Sequence, residues 1–160
     1  MSNSKISESL SAITPYLTVK GAEAAMDFYK NIFDAKEVGR LIMQPGNKIG
    51  HAELAFGNAV LYLAEENPAW GNISPTTVGG SPVTIALRVN DVDAIFQHAV
   101  EAGATVLEGV KDQFYGDRAG TIEDPFGHVW TIATHKEDVS PEEIHKRFEA
   151  FKKQQGGYTS

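Results

Sequence analysis

The chain contains no cysteine. Disulfide frameworks, zinc ribbons and thiol nucleophiles are therefore excluded. It has no run of about 18 apolar residues, the length a membrane-spanning helix requires. Its polar start, Met1-Ser-Asn-Ser-Lys-Ile-Ser-Glu-Ser-Leu10, carries no apolar signal core. Basic residues are scarce: 14 Lys and Arg stand against 21 Asp and Glu, for a formal net charge of −7. That balance is poorly suited to displacing counterions from a phosphate backbone, so no nucleic-acid partner is expected. No glycine-rich dinucleotide fingerprint or phosphate-binding loop occurs, which leaves nucleotide cofactors without support. These absences describe a soluble protein, expected in the cytoplasm and without a membrane partner, whose residues 1–11 are expected to be disordered.

What is present suits one compact domain, or two small halves sharing a core, with 160 residues of which 42% are hydrophobic. Ile13–Val19 reads as a strand. Gly21–Phe33 places Ala22, Ala25, Met26, Tyr29, Ile32 and Phe33 at helical spacing. Glu37–Met43, Ile49–Phe56 and Ala59–Ala64 read as strands, the last two joined by the hairpin signal Gly57-Asn58. Residues 67–82 hold several Pro and Gly residues and read as a linker or mobile flap, with Trp70 expected to dock somewhere.

The same order then returns. Val83–Val89 is a strand and Val92–Ala102 a helix, with Asn90 at its N-cap and Asp93 favouring its positive end. Thr105–Val110, Ala119–Glu123 and Val129–Thr134 are strands. Order and spacing repeat with a displacement of about 70 residues, as expected for a pseudo-twofold arrangement rather than a solenoid. The modules are residues 12–66 and 83–135. Ser140-Pro-Glu-Glu143 is a capping box opening a C-terminal helix over 140–153, with Ile144, Phe148 and Phe151 on one stripe, and residues 154–160 form a loose tail.

Side chains alternate along strands, which sorts them into two faces. Leu17, Val19, Ala52, Leu54, Leu61, Leu63, Trp130 and Ile132 form the side that buries against helices. Thr14, Tyr16, Thr18, His51, Glu53, Tyr62, Thr84, Arg88 and Thr131 form a mixed polar side, which is either a wet sheet surface or the wall of a pocket. His51 and Glu53, two residues apart on that side, are the candidate catalytic pair; the alternative is an ordinary hydrogen-bonded pair on a rim. Arg118 and Arg88 are candidates to clamp an anion. For Arg118 the alternative is a bridge to Asp117 or Glu123. A buried Arg88 would need a partner. His128 reads as a turn residue, and His98, His135 and His145 have no partner at ligand spacing.

Leu17-Thr-Val19, followed by Ala25-Met-Asp-Phe-Tyr29 and Phe33, resembles the first βα unit of the glyoxalase, bleomycin-resistance and extradiol dioxygenase superfamily, the vicinal oxygen chelate class. Glu123-Asp-Pro-Phe-Gly-His128 resembles its last hairpin. The run from Tyr115-Gly-Asp-Arg118 through Asp124-Pro-Phe-Gly-His-Val-Trp130 and Ala133-Thr-His135 to Asp138-Val-Ser-Pro-Glu142 is similar to the PhnB-like subgroup. The resemblance spans about residues 12–150. It implies an α+β fold of two βαβββ modules forming a curved mixed sheet, plus the C-terminal helix, and a homodimer. It also implies a small-molecule ligand and, in the family's enzymes, one divalent metal held by His, Gln or Glu. Carried over by position, those four places fall on Thr14, Tyr62, Thr84 and Thr131. All four are hydroxyl residues and weak ligands for a divalent ion, so neither a metal nor another cofactor is expected there.

Three functions fit this reading. The first is a metal-independent small-molecule-binding protein that sequesters a drug or toxin, with Tyr16, Thr18, Tyr62, Thr84, Arg88, His51 and Glu53 in contact with the ligand. The second is a lyase, isomerase or oxygenase that uses a relocated metal or His51 and Glu53 as an acid/base pair. The third is an interaction module with a vestigial pocket.

Overall fold

The structure, a computed structural model, describes residues 11–156. The N-terminal segment expected to be disordered lies outside them except for Ser11, and so do residues 157–160 of the expected tail. Two compact units emerge. One holds the residues up to Pro82 together with Pro125–His128; the other holds Val83–Asp124 and the chain from Val129 onward.

The first unit runs β1 (Tyr16–Val19), α1 (Ala22–Phe33), β2 (Lys36–Met43), β3 (Lys48–Phe56) and β4 (Ala59–Glu65). Its sheet has the order β1-β4-β3-β2, with β1 parallel to β4 and the other pairs antiparallel. A one-turn helix, α2 (Pro75–Val78), follows. The second unit repeats the plan with β5 (Thr84–Arg88), α3 (Val92–Glu101), β6 (Thr105–Asp112), β7 (Asp117–Glu123) and β8 (Val129–His135), in the order β5-β8-β7-β6. It closes with α4 (Pro141–Gln154). The βαβββ plan expected from the sequence therefore occurs twice. Among the described residues no helix is long and apolar enough to cross a membrane.

The helical spacing read in α1 matches most of its buried face: Ala22, Ala25, Met26, Tyr29 and Phe33 are buried, Phe28 joins them, and Ile32 is only half-buried. Each large side chain among them contributes roughly 2 kcal/mol by leaving water. Leu17, Val19, Ala52, Leu54, Leu61 and Leu63 are buried with them, as strand parity requires. Phe126 adds its ring to this core, 6.2 Å from Phe28 and 6.4 Å from Tyr29. His128, read as a turn residue, is buried and its Nε2–H donates to the Thr18 carbonyl at 3.0 Å. The start of α1 is capped from a distance. Gly21 has no side chain to offer, and the Glu65 carboxylate on β4 accepts the N–H groups of Gly21 (3.0 and 3.2 Å) and Ala22 (2.7 Å). A carboxylate there also meets the positive end of the helix dipole.

In the second unit α3 packs on β7. Gly120 makes room for the Phe96 ring: a Cβ at that position would lie 2.6 Å from the ring edge. Trp130, Ile132 and Ile122 are fully buried beside it. The expected stripe of α4 is used within this unit, with the rings of Phe148 and Phe151 lying 5.3 and 5.7 Å from Phe114. Arg147 secures the helix through Glu143 and Glu137 and reaches the Phe114 carbonyl. The connector before α4 is held by Gly116, whose carbonyl accepts the N–H groups of Lys136 and Glu137 at 3.0 and 3.1 Å. Its φ of +101° and the approach of the Glu137 carbonyl, 2.3 Å from where a Cβ would sit, leave room only for glycine.

Several boundaries differ from the sequence reading. β1 begins at Tyr16, not Ile13, because Pro15 has no N–H to enter a ladder. The N-cap of α3 is Asp91, not Asn90; its carboxylate accepts the Ala94 N–H at 3.1 Å. Residues 67–82 are not a featureless linker. Pro68–Trp70 form a 3-10 turn, and Ser74 donates to Glu66 through both its backbone N–H (3.0 Å) and its hydroxyl (2.7 Å). Thr77 donates to the same carboxylate, whose pKa falls to about 2 because its charged form holds all these donors.

Candidate functional site

The open face of the first sheet gathers Tyr16, His51, Glu53 and Tyr62. Two features of the chain place them together. Parallel pairing sets Tyr16 beside Tyr62, and the hairpin through Gly57 and Asn58 sets Tyr62 opposite Glu53. His51 lies two residues before Glu53 on the same face. The rings of Tyr16 and Tyr62 both stand edge-on to the His51 imidazole, with centroids 5.3 and 4.9 Å away.

The hydrogen bonds in this cluster have a fixed direction when the imidazole is neutral. The Glu53 carboxylate only accepts, so His51 Nε2 carries the proton and donates to Glu53 Oε1 at 3.2 Å. His51 Nδ1 is then an acceptor, and the Tyr16 hydroxyl donates to it at 2.8 Å. The result is a relay from phenol to imidazole to carboxylate, with His51 and Glu53 each about a third exposed (31% and 34%). Burial pushes the Tyr16 phenol above its ordinary pKa, so it stays protonated and available as a donor. Thr18, on the same face, is half-buried and its backbone carbonyl serves His128. Thr14 is half-buried and precedes β1.

In the second unit Thr84 is exposed on β5, and the Thr131 hydroxyl is bonded to that of Thr121 at 3.0 Å. The two arginines differ from their expected places. Arg118 is not a free anion clamp and does not bridge to Asp117 or Glu123. Its guanidinium grips Asp93 through Nε and Nη2, both at 2.8 Å, and reaches Asp112 at 3.1 Å. Strand parity explains this: Arg118 shares its face of β7 with Gly120, the face covered by α3, whose first turn supplies Asp93. Arg88 is not a buried cation; its side chain is 78% exposed and lies 3.9 Å from Asp117.

One cluster escaped the sequence reading. His135 is bonded to Asp117 through Nδ1 (2.9 Å) and to Asp138 through Nε2 (2.8 Å). Only the imidazolium donates from both nitrogens, and these bonds raise the His135 pKa above its ordinary value. The β7–β8 register puts Asp117 opposite His135, and that pairing follows from counting outward from the Asp124-Pro-Phe-Gly127 turn.

Comparison with known proteins gives a consistent picture. The profile of the Glyoxalase/Bleomycin resistance protein/Dioxygenase superfamily matches residues 10–132. An uncharacterized protein of Mycobacterium tuberculosis (strain ATCC 25618 / H37Rv) is 43% identical over 136 residues, covering 83% of this chain and 79% of its own. Among solved structures, a PhnB protein from Bacillus cereus superposes with a TM-score of 0.60 at 17% identity, covering 78% of this chain and 99% of its own length. The fosfomycin resistance protein FosX from Listeria monocytogenes, solved with Mn(II) and sulfate, superposes with a TM-score of 0.59 at 18% identity over 86% of this chain and 97% of FosX. At these identities the two structures speak for the fold.

Proposed function

The chain belongs to the Glyoxalase/Bleomycin resistance protein/Dioxygenase superfamily, and from that membership we propose that it binds a small polar molecule on the open face of its first sheet by hydrogen bonding, without a resident metal. The observation that carries this reading is the Tyr16–His51–Glu53 relay flanked by Tyr62. It presents aromatic edges and polar atoms together, the composition expected of a ligand site.

The donor set argues against a metal. The family's ligand positions fall on Thr14, Tyr62, Thr84 and Thr131, whose neutral oxygens do not fit a divalent ion. Among the described residues no group of three or more His, Asp or Glu side chains is arranged to hold one elsewhere. FosX, by contrast, was solved with Mn(II). The role we assign is sequestration of a drug or toxin by a cytoplasmic homodimer.

Calorimetry on protein purified without a polyhistidine tag, using hits from a thermal-shift panel of aromatic drugs and small oxoacids, tests this. Affinity is expected to survive EDTA and to fall roughly tenfold in Tyr16→Phe and His51→Ala, as loss of one good hydrogen bond predicts. Absence of any hit, or stoichiometric metal whose removal abolishes binding, overturns the proposal.

The direction of the relay supports a second reading, acid/base catalysis. A proton taken from the ligand onto the Tyr16 oxygen is balanced by the phenol proton passing to His51 Nδ1, with Glu53 holding the imidazolium. Turnover that falls in Glu53→Gln while ligand affinity holds would select this reading.

A further inference from the structure

A cleft of about 250 Å³ opens where β2 turns into β3 and where β4 ends. It contains none of Tyr16, His51, Glu53 or Tyr62. Its walls include Met43, Pro45, Ile49 and the indole of Trp70. At the liquid volume of water it has room for about eight molecules, or a fused pair of aromatic rings.

Trp70 is 67% exposed. Among the described residues its ring has no aromatic partner and its indole N–H no acceptor. The backbone that carries it is nevertheless tightly closed. Trp70 N–H donates to the Asn67 carbonyl at 3.0 Å, Gly71 N–H to Pro68 at 3.1 Å, and Asn67 and Asn72 exchange backbone bonds at 2.8 and 3.1 Å. Glu66 then fastens the chain beyond through Ser74 and Thr77. An indole left in water on a well-fixed loop is a surface suited to stacking.

The charges around the cleft are asymmetric in availability. The carboxylates of Glu65 and Glu66 are both engaged, one with the N-terminus of α1 and the other with Ser74 and Thr77. The Lys48 ammonium forms no ion pair among the described residues. The free groups lining the space are thus an ammonium, an indole and the side-chain amides of Asn67 and Asn72.

We propose that this cleft is a second binding site, for a planar aromatic acid whose ring stacks on Trp70 and whose anionic group pairs with Lys48. Stacking supplies affinity without strict ring specificity. The Lys48 ammonium, the one charged group of the lining not already held by the protein among the described residues, is left to pair with the acid, while the Glu65 and Glu66 carboxylates are turned to their own N–H and O–H donors.

The probe is 2-naphthoate, compared with neutral 2-naphthalenemethanol and cationic 2-naphthylmethylammonium, in nitrogen-correlated NMR titrations of the full chain. The two indole signals separate the outcome, because Trp130 is 1% exposed and Trp70 lies open. Naphthoate is expected to move the Trp70 signal and leave that of Trp130, with the acid binding tighter than the alcohol and the ammonium weakest. Trp70→Ala should weaken naphthoate roughly tenfold, in line with the loss of one stacked ring. Lys48→Gln should weaken it severalfold and erase the preference over the alcohol. Absence of binding, a Trp70 signal that stays put, or an ammonium that binds as tightly as the acid overturns the proposal. The wild-type titration and Lys48→Gln keep it testable if Trp70→Ala is unstable.

Discussion

The indole N–H of Trp130 donates to the Asp124 carboxylate at 2.8 Å, and neither residue is more than 3% exposed. A polar pair this deep is favourable only while both members are present. Asp124→Ala is expected to cost roughly 2 kcal/mol by leaving the indole donor buried without its acceptor, and Asp124→Asn, which keeps an acceptor oxygen, distinctly less. Urea unfolding followed by circular dichroism measures the difference. Equal midpoints for the alanine variant and the wild type would mean that the pair does not stabilise the core.

Glu66 should titrate far below an ordinary carboxyl. Its pKa is lowered to about 2 by the Ser74 hydroxyl, the Ser74 N–H and the Thr77 hydroxyl. The sign follows directly: the carboxylate's contribution is complete above the unfolded value near 4.5 and is lost as pH falls toward about 2. The Ser74 amide shift in an NMR acid titration should have its midpoint near the lower value. A midpoint at the ordinary value would contradict the anchoring of residues 66–77.

His135 should show the opposite dependence. Its two carboxylate partners raise its pKa, so its contribution is complete below the ordinary value near 6.5 and disappears as pH rises through the raised one. Asp117 and Asp138 face it directly; Arg88 lies near Asp117 and opposes them. The melting-temperature gap between wild type and His135→Gln should be widest on the acidic side of neutrality and should close at alkaline pH. A gap independent of pH would show that the imidazolium form is not the one held.

Gly120→Ala should be destabilising although its backbone is ordinary extended strand. The added methyl would meet Phe96 at 2.6 Å and Val110 at 3.0 Å, and overpacking of this kind costs roughly 1–3 kcal/mol. Phe96→Leu in the same chain should recover part of the loss. Thermal melts of the two variants and the double variant decide it, and strict additivity would show that the two residues are not coupled.

Much of the fold was legible because alternation and helical spacing both report burial. Leu54 and Leu63 are fully buried and Glu53 and Tyr62 lie on the opposite side, as parity demands. His51 and Glu53 were recognisable as neighbours on one strand. Tyr16 was placed on their face, but its hydrogen bond to His51 depends on β1 lying beside β4, a tertiary arrangement that spacing along the chain does not specify. Arg118 was misjudged for a related reason. Its partner Asp93 lies on a helix 25 residues earlier, and only the packing of α3 on β7 brings them together. Asn90 lost the cap of α3 to Asp91 because the two neighbours are equally good capping residues and one residue of phase decides between them.

The turn at Gly57 and Asn58 has a consequence for how this chain can diverge. Two residues there set both the pairing of Leu54 with Leu61 and that of Glu53 with Tyr62. Lengthening the loop by one would slide one strand against the other, pitting greasy positions against wet ones. Descendants are thus free to swap individual side chains on the open face, while the length of this short connection is inherited as a fixed gauge.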